Sequence, residues 1–227
     1  MVDFTGGTWR SLVDGEEISA IPDPDIYLQD DWGDNKLQDR EDGGTTTHNG
    51  VEGVYRPEWD VVDGKSEPTV ENETLDMSGD DGIYTEINLN YDETITWQLD
   101  DLDVGDTGDG STDWTIVTLA TDSEPSNNQD GRVDASYWYG LRDTTRENRL
   151  VYRDDDGNDN VIMQEGSLSG DIDSVTIERD SDANWTVWED GSQVGTTTQQ
   201  DGPEFDTYVA IIGEDGNDWD IGEIKVS

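Results

Sequence analysis

A chain of 227 residues with 57 acidic against 12 basic side chains, hence a net charge of −45, has room for one all-β domain of ordinary size and a short appendage. The sign of that charge excludes nucleic acid, whose phosphates need Lys and Arg, and membrane surfaces of like charge. No apolar run approaches the ~20 residues that span a bilayer, and without cysteine neither disulfides nor thiolate metal sites arise.

Low hydrophobicity with high net charge is the composition of disorder. Nine Trp, eight Tyr and sustained apolar alternation predict instead a folded protein solvated by carboxylates. Lysine is confined to positions 36, 65 and 225. Such a chain repels itself unless concentrated salt intervenes: at ~1 M the Debye length is roughly 3 Å. The composition therefore points to an extreme halophile or its virus.

Residues 1–24 read as an arm. Trp9, Leu12, Val13 and Ile18 are too apolar for a solvated tail of this polarity. They fit a strand folded back on the domain or a segment docked into a neighbouring subunit, with Pro22-Asp23-Pro24 as linker. The first residues carry neither the basic nor the apolar region of a secretory signal, so synthesis and retention in the cytoplasm are expected unless the chain travels on a larger assembly. The folded domain is expected over 25–227. Residues 41–50, with the sole histidine His48, read as a loop, and 51–62 as a strand broken by Pro57. Strands follow at 74–77, 82–90, 94–99, 114–121, 133–141, 150–153 and 161–164. Two hairpins in series occupy 173–196, turning at Asp180–Asn184 and at Asp190-Gly191. Strands at 207–213 and 219–226 close the chain. No segment has a helical period, and many short strands between acidic, Gly-rich turns mean a sandwich or barrel.

The run "DSVTIERDSDANWTVWEDGSQVGT" at 173–196 resembles the centre of laminin-G-like and concanavalin A-like jelly rolls, and "DWDIGEIKVS" at 218–227 resembles their closing strand. The resemblance implies an antiparallel β-sandwich of the concanavalin A-like jelly-roll kind. "IYLQDDWGDNKL" at 26–37 is similar to the first strand and turn of laminin-G-like proteins of haloarchaea and their viruses. With "FTGGTWRSLVDG" at 4–15 it looks like virion-associated proteins of that group. That likeness implies a non-enzymatic surface protein of a haloarchaeal tailed virus: a capsid turret, a decoration or a tail-fibre subunit. It would be made in the host cytoplasm, homo-oligomeric, bound to other virion proteins and able to touch host surface glycans. The alternatives are a haloarchaeal glycan-binding module and a jelly-roll glycoside hydrolase.

Three constellations bear on these alternatives. Aromatic side chains on otherwise polar strand faces are the first: Tyr84 beside Glu86 and Asn88, Trp138 beside Asp134, Ser136 and Arg142, and Trp188 beside Thr186. Tyr84, Trp138, Arg142 and Trp188 are thus candidate carbohydrate contacts, rings stacking on sugar C–H faces while charged groups bond hydroxyls; the competing view packs them under loops or in a subunit interface. The second is Asp154, Asp156, Asn158 and Asn160, oxygen ligands at alternate positions with Glu165 twelfth. This imitates a calcium loop, although glycine is missing at its sixth place and a strand follows; the competing view is an acidic hairpin loop without a defined site. The third is catalysis. Hydrolases resembling laminarinases carry Glu-x-Asp-x-x-Glu on one strand. Glu178-Arg179-Asp180 lacks the second Glu, so no catalytic residue is assigned.

Overall fold

The computed structural model describes residues 26–38, 44–48, 51–55, 57–79, 81–104, 115–126, 133–142, 147–166, 172–198, 202–213 and 219–227. The proposed arm, with Trp9, Leu12, Val13 and Ile18, lies outside them. Among the described residues the strands are, in chain order, β1 (Leu28–Asp30), β2 (Gly44–His48), β3 (Val51–Tyr55), β4 (Asp60–Val61), β5 (Thr69–Glu71), β6 (Thr74–Met77) and β7 (Gly82–Glu86). They continue with β8 (Ile95–Asp100), β9 (Asp103–Val104), β10 (Thr115–Thr121), β11 (Ser136–Arg142), β12 (Glu147–Arg153) and β13 (Asp159–Gly166). The last are β14 (Ser174–Arg179), β15 (Trp185–Glu189), β16 (Ser192–Thr197), β17 (Tyr208–Gly213), β18 (Trp219–Ile221) and β19 (Glu223–Val226).

They form an eight-stranded sheet, β16-β15-β14-β8-β19-β1-β3-β2, a seven-stranded sheet, β13-β12-β11-β10-β17-β7-β4, and a small four-stranded sheet, β5-β6-β18-β9. Only β1 and β3 run parallel among the described pairs; the rest are antiparallel. The large sheets share one core. Trp97, Ile177, Trp185 and Val187 from the eight-stranded sheet meet Tyr137, Tyr139, Leu150, Val209 and Ile211 from the seven-stranded one. Strict alternation put them there: β8 and β14 bury every second residue. The Trp97 indole N–H crosses the sandwich to donate to the Leu119 carbonyl at 2.9 Å. A polar link crosses it too: the buried Glu189 carboxylate accepts from the Tyr139 hydroxyl at 2.7 Å and from the Asn148 amide. Burial, reinforced by that carboxylate, pushes the Tyr139 phenol well above its usual value, so it stays a proton donor.

The 173–196 hairpins stand as expected, as β14–β15–β16. Asp190 and Gly191 both take positive φ, 47° and 70°, the mark of a two-residue hairpin turn. The "WGDN" stretch is a self-bonded corner. Asp30, fully buried, accepts from the Trp32 amide and, at 2.7 Å, from the Trp59 indole; Asp31 and Asp34 accept from the amides of Gly33 and Lys36.

Three expectations are corrected. Residues 44–48 are not loop: β2 pairs with β3, and His48, opposite Val51, ends β2. The threonine run Thr45-Thr46-Thr47 suits a strand better than its polarity indicated. The closing 219–226 stretch is two strands in different sheets, because Gly222 turns there and donates to the carbonyls of Asp100 and Asp101. The strand expected from 133 begins at Ser136, since Ala135 takes φ 52° and breaks the alternation. Val133 consequently joins a separate cluster with Tyr84 and Ala210.

Gly213, at the end of β17, is packed against the 78–79 backbone: a Cβ there would sit 2.1 Å from the Ser78 carbonyl oxygen. Lys65 ties the same corner, donating to the carbonyls of Gly79 and Gly213. Gly213→Ala is expected to cost about 1–3 kcal/mol of stability by overpacking, measured by denaturant titration at molar salt. An unchanged midpoint would show that the corner yields freely.

Candidate functional site

The seven-stranded sheet lines up a transverse row on its outer face. Asp60, Tyr84, Ala210, Thr118, Trp138 and Val151 are successive register partners across β4, β7, β17, β10, β11 and β12. Directly opposed residues point to one side of a sheet, so this row shares a face. Tyr84 and Trp138 stand three strands apart, roughly 14 Å at the usual strand spacing. Between them lie only Ala210 and Thr118.

The two aromatics differ in what they offer. Trp138 is 1% exposed and clusters with Ile116 and Val151, so its ring presents no free face. As a sugar-stacking surface it is withdrawn: an aromatic among polar neighbours in sequence proved to be covered in space. Tyr84 lies at 9% exposure and donates its hydroxyl to Glu124 at 2.7 Å. Burial, followed by the hydrogen bond and charge of Glu124, raises its phenol far above the usual value, and it remains protonated at any ordinary pH. Tyr208, half-buried at the start of β17, meets Tyr84 edge-on at 5.7 Å and 76°. Asp60 and Glu124, both exposed, flank the pair. The usable constellation is therefore Tyr84, Tyr208, Glu124 and Asp60.

Trp188 belongs elsewhere. It is half-buried on β15 between Thr176 and Gln193, with Trp185 and Val187 alternating into the core. It thus lies on the outer face of the eight-stranded sheet, with the whole core between it and Tyr84. Arg142 ends β11 opposite Glu147, and its side chain lies outside the described residues. Tyr208 escaped the sequence reading because it opens an apolar run, YVAIIG, read as a strand with no face assigned to it. Its alternation with Ala210 and Ile212, away from Val209 and Ile211, was the available signal. Glu124 reaches Tyr84 from forty residues along, which no local pattern shows.

The calcium-like loop has a different explanation. Asp154 Oδ1 accepts from the amides of Asp156 and Asn158, and the Asn158 side chain adds bonds to both Asp154 oxygens. The loop joins β12 to β13 and closes on itself. The same device recurs at Asp180, whose Oδ1 accepts from the amides of Asp182 and Asn184 while Oδ2 accepts from the Asn184 side chain at 2.8 Å. Asp-x-Asp-x-Asn is thus a hairpin module used twice, each time closed as an Asx-turn. Among the described residues no group of three or more His, Cys, Asp or Glu converges to hold a metal ion, and Asp159, next to Asn160, is taken by Arg153 at 2.7 Å.

The bonds from Asn158 and Asn184 lower the carboxyls of Asp154 and Asp180 below their ordinary range. A depressed folded-state value means the contribution is complete above the unfolded carboxylate range and is lost as pH falls through the lowered value. Asp180→Asn should flatten the acid limb of the melting-midpoint profile below that range and leave its neutral-pH slope unchanged. An acid limb identical to wild type would show that the loop does not couple to folding.

Catalytic geometry has little to start from in the Glu178–Asp180 stretch. Glu178 pairs with Thr96 and Thr186 and alternates outward from the core, while Asp180 is occupied by its own turn.

No family model and no curated protein matches the chain. Solved structures do match. The carbohydrate recognition domain of Emp47p aligns with a TM-score of 0.53 and 11% identity, over 74% of this chain and 87% of that one. The exoplasmic/lumenal domain of VIP36, in a Ca2+/Man-bound form, gives 0.53 and 13%, over 74% and 82%. The fold is a concanavalin A-like jelly roll. The botulinum neurotoxin serotype D binding domain also aligns, with a TM-score of 0.52 and 12% identity, over 89% of this chain and 48% of that chain. At such identities the likeness is one of fold. On this jelly roll the Tyr84–Tyr208 constellation occupies the outer face of the seven-stranded sheet.

Proposed function

We propose that this jelly roll is a non-enzymatic glycan-binding module that receives its ligand at the Tyr84–Tyr208 end of the seven-stranded sheet. The observation that carries this is the paired tyrosines flanked by Glu124 and Asp60. A half-exposed ring offers an apolar surface for sugar C–H groups, and its hydroxyl end is polar. Carboxylates beside it accept sugar hydroxyls in charge-assisted hydrogen bonds. Two of the aligned structures are carbohydrate-recognition or mannose-bound domains, which supports the class of ligand. The Ca2+ of the VIP36 form belongs to that protein. The described carboxylates here converge on no comparable centre, and nothing in this reading passes through a cation.

The finer reading places the module on the surface of a haloarchaeal tailed virus, as a turret, decoration or tail-fibre subunit assembled through residues 1–24. Its supports are the net charge and the likeness of the 4–15 and 26–37 stretches to virion-associated proteins. Mass spectrometry of purified virions tests that placement. Screening the full chain at molar salt against neutral and acidic glycans tests the module itself. Saturable binding to a defined class is expected, without release of reducing sugar. Hydrolysis abolished by replacing one carboxylate would contradict the non-enzymatic reading, and no binding to any glycan would contradict the module.

A further inference from the structure

Arg179 is an unusual cation for so acidic a chain. It is 3% exposed at the end of β14, and among the described residues its Nε and Nη1 are buried with no hydrogen-bond acceptor. Its neighbour Asp180 would be the natural counter-ion, but that carboxylate is turned into its own loop. The guanidinium lies instead over the Tyr91 ring, 4.5 Å from the centroid, and 6.0 Å from the centroid of Trp185. Stacking offsets part of the cost of burying a cation. It supplies no acceptor to the N–H groups, and a buried charge left without a partner is strongly unfavourable.

Two further donors nearby share this condition. The Trp185 indole N–H and the Tyr137 hydroxyl are both buried without a hydrogen-bond partner, and their rings pack at 5.0 Å. The backbone comes close as well: a Cβ on Gly202 would sit 2.0 Å from the Tyr137 hydroxyl oxygen. One full positive charge, four unaccepted donor atoms and aromatic walls describe the chemistry of a monovalent anion site.

We propose that Arg179, with Trp185 and Tyr137, binds a halide ion inside the sandwich. A small monoanion neutralises the guanidinium and accepts from these donors, which a water molecule does only in part because it brings no charge. The site lies between the large sheets at the end of β14 and is separate from the glycan surface. At molar chloride even a weak site is filled, and its binding free energy adds to stability as RT ln(1 + [chloride]/Kd). Salt would then act on this fold in two ways, by screening the surface and by completing the core.

Bromide tests the proposal. Crystals of the full chain soaked in sodium bromide are expected to show an anomalous peak within hydrogen-bonding reach of Arg179 Nε or Nη1. Water density alone at that position, with bromide confined to the surface, would overturn it. In solution at molar sodium chloride, excess chloride-35 line broadening by the wild-type protein should disappear in Arg179→Met, with the near-ultraviolet spectrum retained. Should that variant fail to fold, Arg179→Lys and Tyr137→Phe serve, each expected to lower halide affinity several-fold. Wild-type broadening in both would overturn the assignment.

Discussion

Dialysis from molar salt into tens of millimolar salt is expected to unfold the protein. Twelve cations cannot pair 57 carboxylates. Arg153 shows what a good pairing looks like, 2.8 Å from Asp134 and 2.7 Å from Asp159 with its own side chain nearly buried, but one cation per carboxylate leaves 45 of the 57 without one. Lowering the salt lengthens the Debye length from roughly 3 Å to 10 Å or more, so each exposed carboxylate begins to feel several neighbours. Domains are stable by only about 5–15 kcal/mol, and self-repulsion of even ~5 kcal/mol lowers the melting midpoint of a domain this size by roughly 10–20 °C. Tryptophan emission should shift to the red together with the loss of the near-ultraviolet signal, since the buried indoles of Trp97, Trp185 and Trp219 become wet at once. An emission spectrum and midpoint unchanged over that range would remove the case for a salt-requiring fold.

Trp185→Ala should be the most damaging single core change in the hairpin region, costing about 3–5 kcal/mol. Trp185 is fully buried, stacks on Trp97 at 5.8 Å and 18°, and packs on Tyr137 at 5.0 Å. It therefore joins the eight-stranded sheet to the seven-stranded one. Trp188, three residues on, has the opposite parity and stays half-buried outside, so Trp188→Ala is expected to cost under about 1 kcal/mol. Denaturant midpoints at fixed molar salt compare the two. Equal losses would mean that the alternation along β15 does not set which indole holds the sheets together.

Most of the fold was legible because period two is a local property. β6, β8 and the β14–β15–β16 hairpins lie where apolar alternation and turn residues placed them, and the jelly roll followed from their resemblance and order. The misses are places where the deciding partner is distant in sequence. Gly222 splits the closing strand because Asp100 and Asp101, over a hundred residues away, accept its N–H. Trp138 shares a parity with polar residues, yet Ile116 and Val151 come to it from neighbouring strands. Asp154 has the spacing of a calcium loop, but its Oδ1 accepts from two amides of its own loop and its Oδ2 from the Asn158 side chain, bonds that spacing alone does not reveal. Of the four proposed sugar contacts, Tyr84 meets Tyr208 and Glu124 on the outer face, Trp138 is covered, Trp188 lies on the far sheet, and the Arg142 side chain lies outside the described residues. Tyr208 and Glu124 meet Tyr84 only through pairing of β7 with β17 and a contact from the segment after β10.

The proposed glycan surface on the outer face of the seven-stranded sheet is tested most directly by one comparison. Glycan affinity is measured at molar salt, by calorimetry, for wild type, Tyr208→Ala and Trp188→Ala, using the glycan class that the wild type binds. Tyr208→Ala should lose at least about tenfold, the ~1.4 kcal/mol that one stacked ring readily supplies, while Trp188→Ala binds as wild type. Loss of affinity in Trp188→Ala with Tyr208→Ala unaffected would place the site on the opposite sheet and contradict the account.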